Sequence, residues 1–266
     1  MPDGLTVQAA QAKTTDESGE VSKMSEAAII ETSGRIGTER MVRFVPLGIS
    51  KVSDVEACVG AISEDGSWVR PETPTLAEVK ASDSPFVYFQ WANAELGESL
   101  AGDARPEDHH MVRRAERENW IAEQERLEFI RTHLDPSAED GFRGLRSLGL
   151  IKVDVQRFYM KRSTAGRRFL RVEFADAKGD CYDWIVSEVR FPEEIAPYLQ
   201  EGEITPEFGK KLADFFHSAE VYFTIALTKP NNRFPGKFRG CHPVVIGIHT
   251  VPDYRVELRR EEPARS

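Results

Sequence analysis

Apolar and polar positions alternate in short runs along the first half of the chain, and each run stops after five to nine residues. The runs are "MVRFVPLGI" (41–49), "EACVGAI" (56–62), "SWVRP" (67–71) and "FVYFQWA" (86–92), all rich in β-branched and aromatic residues. That pattern predicts strands, with "EDG" (64–66) as the hairpin turn between the second and third. Over 105–134 the period changes. Met111, Ala115, Trp120, Ile121, Leu127, Ile130 and Leu134 recur at roughly helical spacing, with no Gly and no Pro after Pro106, so one or two helices are expected, ended by "DPSAEDG" (135–141). Strand-like runs return at 150–160, 167–175, 181–189, 220–228 and 243–251. Between the third and fourth of these lies a helical insert, "PEEIAPYL" plus "TPEFGKKLADFFHSA", in which Thr205 and Pro206 read as N-cap and first helical residue.

Five strands with a helix between the third and fourth is the connectivity of an OB-fold barrel. The expected fold class is therefore mainly β with a helical connector, built as two tandem OB-like β-barrels. The expected division is a disordered tail (1–40), a first OB-like barrel (41–104), the helical connector (105–141), a second OB-like barrel (142–255) and a charged C-terminal tail (256–266). The first forty residues contain no Phe, Tyr or Trp, so they offer too little apolar surface to offset the entropy of ordering. Met1, Met24 and Met41 are all eligible translation starts.

The motifs "SWVRP", "ENWI" (118–121) and "SLGLIKVDV" (147–155), followed by "RVEFADAKGDCYDWIVSEVRF" (171–191) and "VYFTIALTKP" (221–230), resemble the bacterial dual OB-domain family over roughly 41–252. The resemblance implies two OB-like barrels in tandem and nucleic-acid binding without an established catalytic activity.

Composition narrows the class. The chain has 266 residues, 40% of them hydrophobic, enough for one large or two small cores. Its three cysteines, Cys58, Cys181 and Cys241, are odd in number and lack CxxC or Cys/His spacing, which argues against a disulfide framework or a structural zinc site. Apolar runs such as "VVIGI" (244–248) are far too short to span a bilayer. A cytoplasmic protein with no membrane association is expected, and no cofactor or metal is implied.

Charge changes the picture most. The net charge is −9, but residues 1–40 carry −3, residues 41–135 carry −8 and residues 136–266 carry +2. Within 157–174, "RFYMKRSTAGRRFLRVEF", six Lys or Arg side chains and four aromatic rings face a single Glu. If 167–174 is a strand, Arg168, Leu170, Val172 and Phe174 share one face, and Arg167, Phe169, Arg171 and Glu173 the other. The second face would leave an Arg-Phe-Arg row outside the barrel, beside the "KRSTAG" loop (161–166). Cations attract phosphates through counterion release, and exposed rings stack on unpaired bases. A second basic block, "KPNNRFPGKFRG" (229–240), is expected to border the same groove. The candidate nucleic-acid contacts are thus Arg157, Tyr159, Lys161, Arg162, Arg167, Phe169 and Arg171, with Arg233, Phe234, Lys237 and Arg239 from the second block. Trp68 and Arg70 join them as a stacking and phosphate-contact pair on one strand face.

Each candidate has a plainer reading. Arg on a β surface is often only solubilising, and a Trp in a short strand more often packs a barrel end. "DHH" (108–110) matches a metal-binding tripeptide of phosphoesterases, but it precedes an expected helix and the other histidines are scattered, so Asp108 reads as an N-cap. P-loop, GxGxxG, GxSxG and HExxH motifs are all missing. The expected function is non-catalytic binding of single-stranded or structured nucleic acid through the second barrel. The alternatives are a protein-protein interaction module and, third, a metal-dependent nuclease or phosphoesterase.

Overall fold

The structure is a computed structural model and describes residues 39–71, 74–100, 105–233 and 235–260. The expected N-terminal tail lies outside the described residues, apart from its last two, and so do the last six residues of the chain. The chain is mostly β and contains a closed five-stranded barrel.

The barrel is formed by β7 (Leu148–Arg162), β8 (Arg168–Asp176), β9 (Cys181–Val186), β12 (Glu220–Leu227) and β13 (Pro243–Val251). These strands match the five expected in the second half. Going round the barrel the order is β7, β8, β9, β13, β12 and back to β7, with β13 parallel to β9 and the other pairs antiparallel. Alternation in β8 sends Leu170, Val172 and Phe174 inward and leaves Phe169, Arg171 and Glu173 half-exposed. A bulge between Val155 and Arg157 lets β7 curve, so that its first half pairs β12 and its second half pairs only β8.

Between β9 and β12 run α4 (Arg190–Ile195), a single 3-10 turn at 196–198, a two-residue hairpin of β10 (Leu199–Gln200) with β11 (Glu203–Ile204), and α5 (Pro206–Ser218). Thr205 caps α5, accepting a hydrogen bond from the Phe208 N–H, and Pro206 opens the helix, as the sequence predicts. Phe208, Leu212 and Phe216 form its buried stripe. Phe216 meets Phe158 with ring centroids 4.8 Å apart, closing one end of the barrel.

Residues 40–120 form a six-stranded sheet: β1 (Arg40–Lys51), β2 (Ala57–Ser63), β3 (Trp68–Pro71), β4 (Gln90–Ser99), β5 (Asp108–Met111) and β6 (Glu116–Trp120). The order is β1-β2-β3-β5-β4-β6, β1 also pairs β4, and β5 runs parallel to β3. A short helix, α1 (Leu76–Lys80), follows β3 and is opened by a capping box of Thr75 and Glu78.

Four expectations are corrected here. The first half does not form the expected barrel: its strands make a six-stranded sheet in which β6 lies beyond β4. The helix expected over 105–134 is confined to α2 (Glu123–Thr132), and Ala138–Gly141 adds one more turn, α3. Glu and Arg favour helix only weakly, and the backbone of 108–111 and 116–120 finds its hydrogen-bond partners on the edges of β3 and β4. Asp108 is accordingly a strand residue and not an N-cap. The strand expected at 86–92 starts only at Gln90. Its core-facing positions Ala92, Ala94 and Leu96 alternate with half-exposed ones, but two of the three are alanine and carry a weak apolar signal.

The two β regions share a core. Val45 and Leu47 of β1, Ile62 of β2, Ile130 of α2, Leu150 of β7 and Tyr222 of β12 belong to one buried cluster. At the seam Thr224 Oγ1 donates to the Leu47 carbonyl at 2.7 Å, and His249 Nε2 lies 2.8 Å from the same oxygen. After β13 the described residues end in α6 (Tyr254–Arg260).

Candidate nucleic-acid interface

The hairpin of β7 and β8 sets the candidate cations opposite one another. Its register pairs Arg157 with Glu173, Tyr159 with Arg171, Lys161 with Phe169 and Arg162 with Arg168. Low on this hairpin the positive charge is largely matched. Arg157 makes a bidentate contact with Glu173 at 2.7 and 2.6 Å, which holds the Glu173 carboxyl below its ordinary pKa. Asp183 on β9 accepts from Arg171 Nε and from the Tyr159 hydroxyl, both at 2.8 Å. Burial works to raise the Asp183 pKa, but these two donors outweigh it and the net direction is downward. Arg157 also lies 5.0 Å from the Tyr159 ring centroid.

Nearer the tip the balance changes. Arg162 and Arg168 share one carboxylate, Glu203, at 3.9 and 3.6 Å, and Arg168 also donates to the Glu201 carbonyl. Lys161 and Arg167 have no carboxylate within ion-pair distance among the described residues, although the field of Lys161 reaches Asp183 and that of Arg167 reaches Asp54, whose carboxyl is lowered chiefly by Lys51. The Arg167 guanidinium sits 5.7 Å from the Phe169 ring centroid. Four cations and a half-exposed ring thus crowd one end of the barrel against a single paired carboxylate. Arg168 was assigned by parity to the inner face. As the first residue of β8 it escapes the barrel interior and joins the tip.

The second basic block is placed elsewhere. β12 ends beside the start of β7, with Ala226 opposite Leu148, whereas "KRSTAG" follows the end of β7. Thirteen residues of β7, 148–160, separate the two loops, about 43 Å of strand if it were straight. The groove expected between them does not form. Arg239, with φ 52°, binds four carbonyls of the 142–146 loop, those of Phe142, Gly144, Leu145 and Arg146. Lys237 pairs Glu139 at 2.9 Å, and Phe238 packs edge-on to Phe142 with centroids 5.0 Å apart. Arg233 is exposed, and Phe234 lies outside the described residues.

Trp68 and Arg70 are structural in placement. The Arg70 side chain is only 3% exposed, bonded to Asp108 at 2.7 Å and to the Ser147 carbonyl at 3.2 Å, so it ties the sheet to the start of the barrel. Trp68 packs against two buried clusters. Asp108 also receives Arg105, which leaves the "DHH" carboxylate fully engaged by guanidinium groups.

What the sequence reading missed is that these arginines pair with Glu173, Asp183 and Glu203. Strand parity already sets Glu173 in the outward row of β8, and Asp183 could have been found the same way in "CYDW", since it alternates outward beside the arginines. Glu203 belongs to a two-residue strand and carries no such signal. No family model matches the chain, and no curated protein is similar to it.

Proposed function

We propose that the protein binds single-stranded or structured nucleic acid without catalysing a reaction on it, through the tip of the β7–β8 hairpin. The observation that carries this reading is the gathering of Lys161, Arg162, Arg167 and Arg168 at the hairpin tip, where Arg167 lies 5.7 Å from the Phe169 ring and Glu203 is the one carboxylate paired there among the described residues. Phosphates would replace water and counterions at the unmatched cations, and Phe169 and Tyr159 offer stacking faces to unpaired bases. Arg157 and Arg171 are already paired and would position the strands more than hold phosphate.

The reading of both β regions as OB-like units of the dual OB-domain type draws support from strand order. In each region the first strand pairs the second and fourth, the third pairs the fifth in parallel, and a helix lies between the third and fourth.

Fluorescence anisotropy of labelled single-stranded oligonucleotides at two salt concentrations tests the function. Affinity should fall as salt rises, and the double variant Lys161→Ala, Arg167→Ala should flatten the log–log slope by about 1.4, two contacts at about 0.7 each. Lys237→Ala, at the other end of β7, should leave affinity unchanged. If the double variant stays folded and binds as tightly as the parent, the hairpin tip is not the interface.

A further inference from the structure

Where α2, the turn at 88–89 and the 248–257 segment meet, they enclose a cavity of about 480 Å³, within the size range of small-molecule sites. Its inner wall is aromatic. His249 stands edge-on to both Tyr88 and Phe89, with ring centroids 5.3 and 5.1 Å apart. Phe89 is held at φ 60°, a left-handed conformation that costs a non-glycine residue about 1 kcal/mol or more. The cost is sustained just before α2, where the Ile121 N–H donates to the Phe89 carbonyl at 2.8 Å.

Two arginines project onto these rings. The Arg190 guanidinium lies 4.1 Å from the Tyr88 centroid, and that of Arg126 lies 5.7 Å from Phe89 and 5.9 Å from Trp120. A third, Arg255, also borders the cavity but is occupied by Asp253 in three contacts of 2.5 to 3.2 Å. Arg126 and Arg190 are different. Among the described residues neither has a carboxylate within ion-pair distance, and the one side-chain hydrogen bond of Arg126 is a long contact of 3.4 Å to the Ile121 carbonyl. Glu123 and Glu257 border the cavity too. A guanidinium resting on a ring face is oriented by it and keeps its in-plane N–H donors available for a bidentate partner. Packing alone accounts for one arginine lying on a ring. The field of Arg190 reaches the buried Glu188 and that of Arg126 reaches Asp253, but neither guanidinium forms an ion pair with these carboxylates, and packing does not explain why both border one cavity beside a strained phenylalanine.

We propose that this cavity binds a small ring-bearing oxyanion, either an aromatic carboxylate or an aromatic phosphate ester, whose charge is held by Arg126 and Arg190 and whose ring packs against Phe89 and Leu127. The residues are separate from the β7–β8 hairpin, and the proposal does not depend on nucleic-acid binding there.

Isothermal titration of the full chain with phenyl phosphate, benzoate, inorganic phosphate and benzyl alcohol tests it. At least one of the two ring-bearing anions should bind with Kd of about 1 mM or lower, and the better of them identifies phosphate or carboxylate as the preferred charge. Inorganic phosphate and benzyl alcohol should bind at least about tenfold more weakly, because each lacks one of the two required groups. Arg126→Gln and Arg190→Gln should each weaken binding about tenfold or more. Leu127→Trp keeps both arginines, fills the cavity from the half-exposed face of α2 and should remove binding, with circular dichroism confirming the fold. The two α2 variants keep the test decisive if Arg190→Gln does not fold. Absence of binding by both ring-bearing anions up to about 10 mM, or binding unchanged in the folded variants, would overturn the proposal.

Discussion

Glu188 and His249 are fully enclosed ionisable groups with opposite tendencies. Burial raises the Glu188 carboxyl to about 7, although it accepts from the Phe191 N–H and from the Tyr88 hydroxyl at 2.8 Å. Burial likewise lowers His249 to about 4, against the opposing hydrogen bond to the Leu47 carbonyl. The folded state therefore binds more protons than the unfolded one at Glu188 between about pH 4.5 and 7, so this group's contribution to stability falls as pH rises. It binds fewer at His249 between about pH 4 and 6.5, so that contribution falls as pH drops. In the overlap the two slopes oppose each other, and stability of the parent should be nearly flat. His249→Gln should uncover a loss of about 3 kcal/mol on raising the pH from 4.5 to 7, and Glu188→Gln a similar loss on lowering it from 6.5 to 4. Urea titrations across pH read both slopes, and a parent slope shared by both variants would refute the assignment. Arg70 gives a second prediction at this scale. Arg70→Ala removes a buried partner from Asp108 and from the Ser147 carbonyl and should cost about 3 kcal/mol, while the remaining folded protein keeps its oligonucleotide affinity. Reduced affinity in the folded fraction would return Arg70 to the interface.

α5 shows how one element is specified twice. Its start is set locally by Thr205 and Pro206, and its face is set by Phe208, Leu212 and Phe216 against the barrel. Thr205→Ala should destabilise the protein by about 1 kcal/mol, measured by denaturant unfolding, because the Phe208 N–H loses its acceptor. No measurable change would mean that packing alone fixes the helix start. The β7–β8 hairpin was equally legible, since its apolar positions alternate with period two. The 105–134 segment was not. Its charged residues suit a helix in isolation, but β3 and β4 present unpaired edges that only the assembled sheet supplies.

For the molecule as a whole, the described residues form one compact unit, and the seam between sheet and barrel is tight. A Cβ built on Gly247 would lie 2.1 Å from the Leu47 carbonyl oxygen and 2.9 Å from Thr224 Oγ1. Since the first of these is backbone, Gly247→Ala must push β1 away from the barrel and should cost about 3 kcal/mol. Calorimetry of the parent should give one unfolding transition for both β regions, because residues of β1, β2, α2, β7 and β12 share a single buried cluster. Two separated transitions would show that the regions fold independently. Among the described residues no helix is long and apolar enough to cross a membrane.

The sequence by itself determined the elements whose signals are local. These are the five barrel strands, the turn at 64–66 with Gly66 at positive φ, the α5 cap and the outward row on β8. Periodicity and turn chemistry act over a few residues, so they can be read without knowing what lies opposite. Tertiary structure alone decided which charges stay unmatched. Arg157 and Arg171 meet carboxylates one strand away, Arg70 is sealed against Asp108 thirty-eight positions on, and Arg239 is consumed by loop carbonyls more than ninety positions back. A cation's availability depends on partners brought close by folding, and sequence distance carries no information about them. The same holds for the cavity, where Phe89, Arg126, Arg190 and His249 converge from four separate segments only because the sheet and the barrel share one core.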